Sequence, residues 1–105
     1  MTTLSLMTER GAVGAEPWQA SGDSQETCGV RSVQVGLLGT GAITATIRIS
    51  GCNHGLFPMT AVDFTLSGTN TVSDAIELTF PWEFFRAEII AISGTNARAF
   101  AVMKI

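Results

Sequence analysis

The sequence predicts an all-β domain, and three observations support this class. Apolar and polar residues alternate with a period of two in several segments, most clearly over residues 43–49. Clusters of Gly, Thr, Ser and Asn separate these segments, and this composition is typical of turns. Helical periodicity is absent over any useful length. We therefore expect an antiparallel β-sandwich or jelly roll over residues 31–105, preceded by an extended N-terminal arm over residues 1–30.

The N-terminal arm is expected because residues 1–30 contain few apolar side chains and several glycines. Leu4 and Leu6 alternate with polar residues and predict a short strand. The remainder cannot bury enough apolar area to become ordered alone. A flexible terminus is one interpretation. The other, which we favour, is an arm that docks onto a neighbouring subunit with Trp18 as its anchor, because an exposed Trp is unusual without a partner.

Four strands are expected between Arg31 and Phe80, with turns or loops at residues 39–41, 51–58 and 67–71. Each strand is identified by apolar residues at every second position. The residues expected to face inward are Val33, Val35 and Leu37; Ile43, Ala45, Ile47 and Ile49; Val62, Phe64 and Leu66; and Ile76, Leu78 and Phe80.

A C-terminal hairpin is expected after these strands. Residues 83–92 and 98–105 alternate, and residues 93–97 between them carry the Gly and Asn that hairpin turns favour. Pro81 is expected to begin the first strand, because proline cannot donate a hydrogen bond from a central position.

Three five-residue segments are near copies of one another. Each contains Gly followed by Thr and then Gly or Asn, residue types that tolerate positive φ. We predict that all three are turns at strand ends. They are residues 38–42, 67–71 and 93–97.

The composition excludes several classes of function. Hydrophobic residues make up 46% of the 105 residues and charged residues 14%, against roughly 25% charged in a typical soluble domain. The net charge is −3 and no basic cluster exists, so nucleic acid is not an expected partner. The N-terminus lacks the pattern of a secretory signal, and the longest apolar run, residues 89–92, is too short to span a membrane. No membrane partner is expected.

Cys52 and His54 are the best candidates for a catalytic or metal-binding site, but the signal is weak. A Cys and a His can form a nucleophilic pair or bind zinc, and Asp63 follows nine residues after His54. A zinc site needs about four ligands, and Cys28 is the only other cysteine. An exposed polar turn is therefore the favoured interpretation. We expect no catalytic residue, no metal and no cofactor, and reduced thiols rather than a disulfide between Cys28 and Cys52.

Trp82, Phe84 and Phe85 could form a platform that stacks on a sugar. A core edge or a subunit contact is the favoured alternative, because buried aromatic residues dominate both cores and interfaces. Nothing in the spacing of Glu77, Glu83 and Glu88 indicates a pair of catalytic carboxylates.

Two segments resemble small virion proteins of tailed bacteriophages. They are PWEFFRAEIIAISGTNA, residues 81–97, and GAITATIRIS, residues 41–50. The chains of that class combine a strand of alternating Ala, Thr and Val with a loop containing Asn and Gly and an ending of the form PW…R…ISGTG. The resemblance covers residues 36–105 and implies a non-enzymatic structural role, best matched by capsid decoration or cement proteins.

The resemblance also implies partners and a location. The major capsid protein would be the partner, and the chain would be a homo-oligomer, a dimer or trimer, on the capsid surface of the virion after synthesis in the host bacterial cytoplasm. A fibre, tail or head–tail component is the first alternative, and a module that binds carbohydrate or a receptor is the second. The residues that we expect at an interface are Leu4, Leu6, Trp18, Trp82 and Phe84.

Overall fold

The computed structural model describes residues 3–20, 31–79 and 82–104. In these ranges every regular element is a β-strand, which confirms the all-β class. The strands are β1 Thr3–Arg10, β2 Gly14–Ala15, β3 Gln19–Ala20, β4 Arg31–Cys52, β5 Met59–Leu78 and β6 Phe84–Lys104. They form one open antiparallel sheet in the order β1-β6-β4-β5, with β2 and β3 also paired to β6. A sandwich or jelly roll was expected to have two packed sheets, whereas the described strands belong to one.

Three of the strands must bend to fit inside the molecule. β4, β5 and β6 contain 22, 20 and 21 residues. A straight strand as long as β4 would extend about 70 Å, at roughly 3.3 Å per residue. The longest dimension of the molecule is only 42 Å. The sheet is therefore sharply curved along its strands.

The bend lies where the three near copies come side by side. Thr40 of β4 is in register with Thr95 of β6, and Ala42 is in register with Thr69 of β5. The register between β4 and β6 shifts on both sides of Thr40, as it does at β-bulges, which bend the strand that carries them. We call these three segments the corner: residues 38–42, 67–71 and 93–97.

Glycine and asparagine make the corner possible. Gly41 and Gly94 have φ values of 74° and 127°, and Asn70 and Asn96 have φ values of 64° and 56°. These are conformations that other L-residues seldom adopt. The backbone N–H of Gly41 also donates to the side-chain Oδ1 of Asn70 at 2.7 Å, which joins β4 to β5 at the bend. Gly and Asn therefore adopt positive φ in these segments, as expected, but the segments lie inside strands and not in turns between strands.

The predicted hairpin over residues 83–105 is therefore wrong, as are the predicted turns at residues 39–41 and 67–71. β6 continues through residues 93–97 with its two halves paired to the same strand, β4. The described connections between long strands are instead residues 53–58 and the segment around residue 82. The physical reason is that register shifts of β4 against both neighbours lie at one level, so the strands bend together there and their pairing resumes on the far side. Pro81 lies outside the described residues.

The concave face of the bent sheet is the core. Val33, Val35 and Leu37 before the corner and Ile47 and Ile49 after it are 0% exposed. The bend lets one sheet cover its own apolar face, so a single core cluster extends across both halves. Most predicted inward-facing residues are confirmed there. Ile76 is an exception at 41% exposed, and Phe80 lies outside the described residues.

The described part of the expected N-terminal arm lies in the sheet of its own chain. β1 pairs with β6 from Thr3 opposite Lys104 to Arg10 opposite Ala99. β2 and β3 continue along the same strand. Pairing is possible because β6 offers an open edge on the side away from β4. Residues 21–30 lie outside the described residues.

Candidate functional site

The connection between β4 and β5, together with the first residue of β5, exposes three large apolar side chains. Leu56 is 77% exposed, Phe57 69% and Met59 57%. Single exposed apolar residues are ordinary, but a contiguous group of them marks an interaction surface. We call these three side chains the apolar tip.

The backbone of the apolar tip is held in place by hydrogen bonds. The N–H of Phe57 donates to the carbonyl oxygen of His54 at 3.0 Å, and the N–H of Leu56 donates to Nδ1 of the same residue at 3.2 Å. The rings of His54 and Phe57 lie 5.7 Å apart. At the base of the loop, Oδ1 of Asn53 accepts a 3.0 Å hydrogen bond from the N–H of Glu83. A preorganised loop loses less conformational entropy on binding.

No charged residue lies between Arg48 and Asp63, so the apolar tip occupies an uncharged stretch of chain. These two residues are opposite each other on β4 and β5 and form an ion pair, with 2.8 Å between Nε and Oδ1. The hydrogen bond and the charge of Asp63 raise the pKa of Arg48 above its usual value. The charges of Arg48 and Asp63 are therefore neutralised by each other.

Two tryptophans, Trp18 and Trp82, flank the base of the apolar tip. One face of each indole is covered by another part of the chain. The guanidinium carbon of Arg86 lies 4.4 Å from the ring centroid of Trp18, a cation–π contact. The indole of Trp82 covers Gly51, where it occupies the space that a β-carbon would need, and its ring lies 6.0 Å from that of Phe85.

The predicted interface residues therefore have different surroundings. Leu6 is 2% exposed and lies in the core, so its side chain is not available to a partner. Leu4 is half-buried and packs against the core. Trp18, Trp82 and Phe84 are half-buried near the loop end, where Phe84 is in register with Ala20 and Cys52. The apolar tip itself was not among the predicted residues.

Cys52 and His54 are not brought together as a chemical site. Cys52 is a free thiol that is 2% exposed, whereas His54 is exposed in the loop. Within residues 3–20, 31–79 and 82–104, no three His, Cys, Asp or Glu side chains are grouped closely enough to hold a metal ion. Cys28, the other half of the possible disulfide, lies outside the described residues.

A second uncharged surface lies on the convex face, on the other side of the corner. It is a shallow groove of about 270 Å³. Gly36 lies in its floor, in register with Ser73 on one side and Phe100 on the other. We call it the outer groove; its lining residues are Gln34, Val35, Gly36, Leu37, Leu38, Thr71, Val72, Ser73, Phe100 and Val102.

Replacing Trp18 by Ala is expected to lower the free energy of unfolding of the isolated chain by about 1–2 kcal/mol. The change removes the cation–π contact with Arg86 and the apolar area of a half-buried indole. Urea denaturation of the purified protein measures the effect, and Trp18→Phe, which keeps an aromatic face, is the control. If Trp18→Ala leaves stability unchanged, the indole contributes nothing within its own chain, and the role of an anchor for a neighbour becomes the better explanation.

In the described ranges we find no candidate membrane-spanning helix. A comparison with protein-family models, with curated proteins and with solved structures finds no match to this chain.

Proposed function

We propose that this chain is a non-enzymatic structural protein of a phage virion, which decorates and cements the capsid by bridging neighbouring subunits of the major capsid protein. The observation that carries the proposal is the apolar tip: three large side chains, 57–77% exposed, on a hydrogen-bonded loop without charge. Such a surface is suited to burial against another protein. The phage origin rests on the resemblance of residues 36–105 to virion proteins.

The energetics of such a contact favour binding to an assembled shell. Full burial of one large apolar side chain is worth about 1.5–3 kcal/mol, so the tip supplies several kcal/mol before the entropic cost of association. That is a weak contact for one copy. On a shell, many copies in fixed positions convert weak contacts into avidity, and a protein that binds only the assembled state stabilises that state by mass action.

A carbohydrate-binding module is less well supported by the same residues. Stacking on a sugar needs an exposed aromatic face beside hydrogen-bonding groups. One face of Trp18 is covered by Arg86, and one face of Trp82 is turned onto Gly51. Oδ1 of Asn53 already accepts a hydrogen bond from Glu83. A fibre, tail or head–tail role would use the same apolar tip with a different partner.

Replacing Phe57 by Ser is expected to weaken capsid binding at least about tenfold, because it removes most of the apolar area of one tip residue. The measurement is co-sedimentation of the purified protein with capsid shells assembled from the major capsid protein of the same phage. Val13→Ser is the matched control, since Val13 is also 61% exposed but lies between β1 and β2. Wild-type protein that does not bind the shells, or binding unaffected by Phe57→Ser, contradicts the proposal. A glycan array tests the carbohydrate alternative in parallel.

A further inference from the structure

His54 holds the backbone of the apolar tip through both its side chain and its main chain. Its Nδ1 accepts a hydrogen bond from the N–H of Leu56 at 3.2 Å, and its carbonyl oxygen accepts one from the N–H of Phe57 at 3.0 Å. The rings of His54 and Phe57 lie 5.7 Å apart, with 51° between their planes. The loop shape that presents Leu56 and Phe57 therefore depends on one histidine.

This arrangement requires the neutral form of the imidazole ring. An Nδ1 that accepts a hydrogen bond carries no proton, so the one ring proton of neutral His54 is on Nε2. A protonated imidazole has N–H groups at both nitrogens and accepts no hydrogen bond. Protonation would set the Nδ1–H of His54 against the N–H of Leu56, so that two donors face each other and the side-chain hydrogen bond is lost.

Histidine is the residue type here that titrates near neutrality. His54 is the single histidine of the chain. Carboxylates, arginine and cysteine ordinarily titrate outside the range from about pH 5 to about pH 8, whereas histidine titrates within it. A change of pH across this range therefore acts on the loop through His54. The other ionisable groups on the elements that meet the loop are Arg48 and Cys52 of β4, Asp63 of β5, Glu16 of the segment that carries Trp18, Glu83 before β6 and Arg86 of β6.

We propose that His54 is a pH-sensitive switch of the apolar tip: the neutral ring holds the tip in its docking shape, and protonation in mild acid releases it. The switch rests on the proposed function in one respect, because it takes the tip as the docking surface and names how that surface is regulated. The partner is bound at neutral or slightly alkaline pH and released as the pH falls.

Three effects of protonation act in the same direction. Loss of the hydrogen bond to Leu56 leaves more loop entropy to be lost on binding. The imidazolium introduces a positive charge beside the tip, which a covering partner would have to bury without a counter-charge. A cation is also attracted to an aromatic face, so the charged ring holds Phe57 against itself and away from a partner.

Two substitutions fix the switch in one state each. His54→Asn keeps an uncharged acceptor, because an Asn side chain accepts a hydrogen bond from the backbone N–H two residues on, and it does not titrate. His54→Lys keeps a positive charge at every pH used and has no acceptor. Because His54 is exposed in the loop, neither change alters the core, and circular dichroism checks that both variants are folded.

The first measurement uses the isolated chain and needs no partner. The amide NMR signal of Leu56 is followed at about pH 8 and about pH 5, on either side of the ordinary titration of histidine. The temperature dependence of its shift is small for a hydrogen-bonded N–H. In the wild type we expect it to be small at the higher pH and to increase at the lower one. We expect His54→Asn to give the small value at both pH values and His54→Lys the large one.

The second measurement is co-sedimentation with assembled capsid shells at about pH 7.5 and about pH 5.5. We expect the wild type to bind about threefold to tenfold more weakly in acid, the effect of losing one hydrogen bond and adding a charge. His54→Asn is expected to bind equally at both pH values, and it controls for any effect of pH on the shells. His54→Lys is expected to bind weakly at both.

Two results would overturn the switch. One is a Leu56 amide whose hydrogen bonding in the wild type is the same at both pH values, and the other is an equal loss of shell binding in acid by the wild type and His54→Asn. Failure of the proposed function looks different. If the wild type binds no shells at either pH, the capsid role is wrong, and the Leu56 amide alone then decides whether His54 controls the loop.

Discussion

Phe85→Ala is expected to lower the free energy of unfolding by about 3–5 kcal/mol, the range of large-to-small substitutions of buried aromatic residues. Phe85 is 0% exposed and lies at the start of β6, in register with Gly51 of β4 and Gln19 of β3. Its ring lies 6.0 Å from the ring of Trp82 and 5.3 Å from the guanidinium carbon of Arg31. Its removal leaves a cavity that the two paired strands and the neighbouring indole cannot all move to fill.

The buried charge of Arg31 adds to this loss. Arg31 is 1% exposed, and burial lowers its pKa, but arginine stays protonated throughout the usable pH range. The ring of Phe85 is therefore an electrostatic partner for the cation as well as a packing element, and Phe85→Ala takes that partner away. Arg31 keeps its charge near neutral pH, and Phe85 has none to lose. The loss of stability caused by Phe85→Ala is therefore expected to be the same at about pH 6 and about pH 8, a range in which His is the side chain that ordinarily titrates.

Guanidinium chloride denaturation of the purified protein measures the effect of Phe85→Ala. The control is Phe85→Leu, which keeps much of the apolar volume but has no π face; we expect it to lose about 1–2 kcal/mol. The difference between the two variants separates cavity formation from the cation–π contact. A loss below about 1 kcal/mol for Phe85→Ala would mean that this ring is not a centre of the core.

Gly94→Ala is expected to destabilise the protein by about 3 kcal/mol, because strain and overpacking act together. Gly94 has a φ of 127°, in the region that side chains rarely adopt. A β-carbon there would lie 2.7 Å from Cγ2 of Ile43 and 2.9 Å from the carbonyl oxygen of Ala42. The second neighbour is backbone of β4 and cannot move without disturbing the corner.

Two other glycines separate these effects. Gly41 has a φ of 74° with open space around it, so Gly41→Ala is expected to cost only the strain, about 1 kcal/mol. Gly36 has neither constraint, and Gly36→Ala is expected to be neutral or to stabilise by up to about 0.5 kcal/mol through a lower entropy of the unfolded chain. The three melting curves together measure the effect. If Gly94→Ala is no worse than Gly36→Ala, the corner does not depend on a left-handed glycine in β6.

The candidate site was only partly accessible from the sequence. The segment Leu56-Phe57-Pro58 is predicted as part of a loop, and its apolar content is the available signal for an exposed surface. Apolar residues in a loop can fold back onto a core or remain exposed, and composition does not distinguish the two. Trp18 is predicted from the sequence as the anchor of an arm on a neighbouring subunit, and the sequence does not reveal that Arg86 covers one of its faces.

The outer groove could not have been predicted at all. It depends on the pairing of β4 with β6, which places Gly36 beside Phe100, and on the pairing of β4 with β5, which places Gly36 beside Ser73. Phe100 lies 64 residues after Gly36 in the chain, and Ser73 lies 37 residues after it. Register follows from the full set of pairings between distant strands, and a single strand pattern does not contain it.

Local sequence was sufficient for the strand class, for the faces of β4 and for the residue types that adopt positive φ at the corner. These properties follow from period-two alternation and from the intrinsic freedom of Gly and Asn, which act over a few residues. Whether a Gly-Thr-Asn segment reverses the chain or merely bends it was decided by tertiary structure. The three copies lie side by side in β4, β5 and β6, where the register of β4 shifts against both neighbours and then resumes, so the strands bend around a single apolar core instead of reversing.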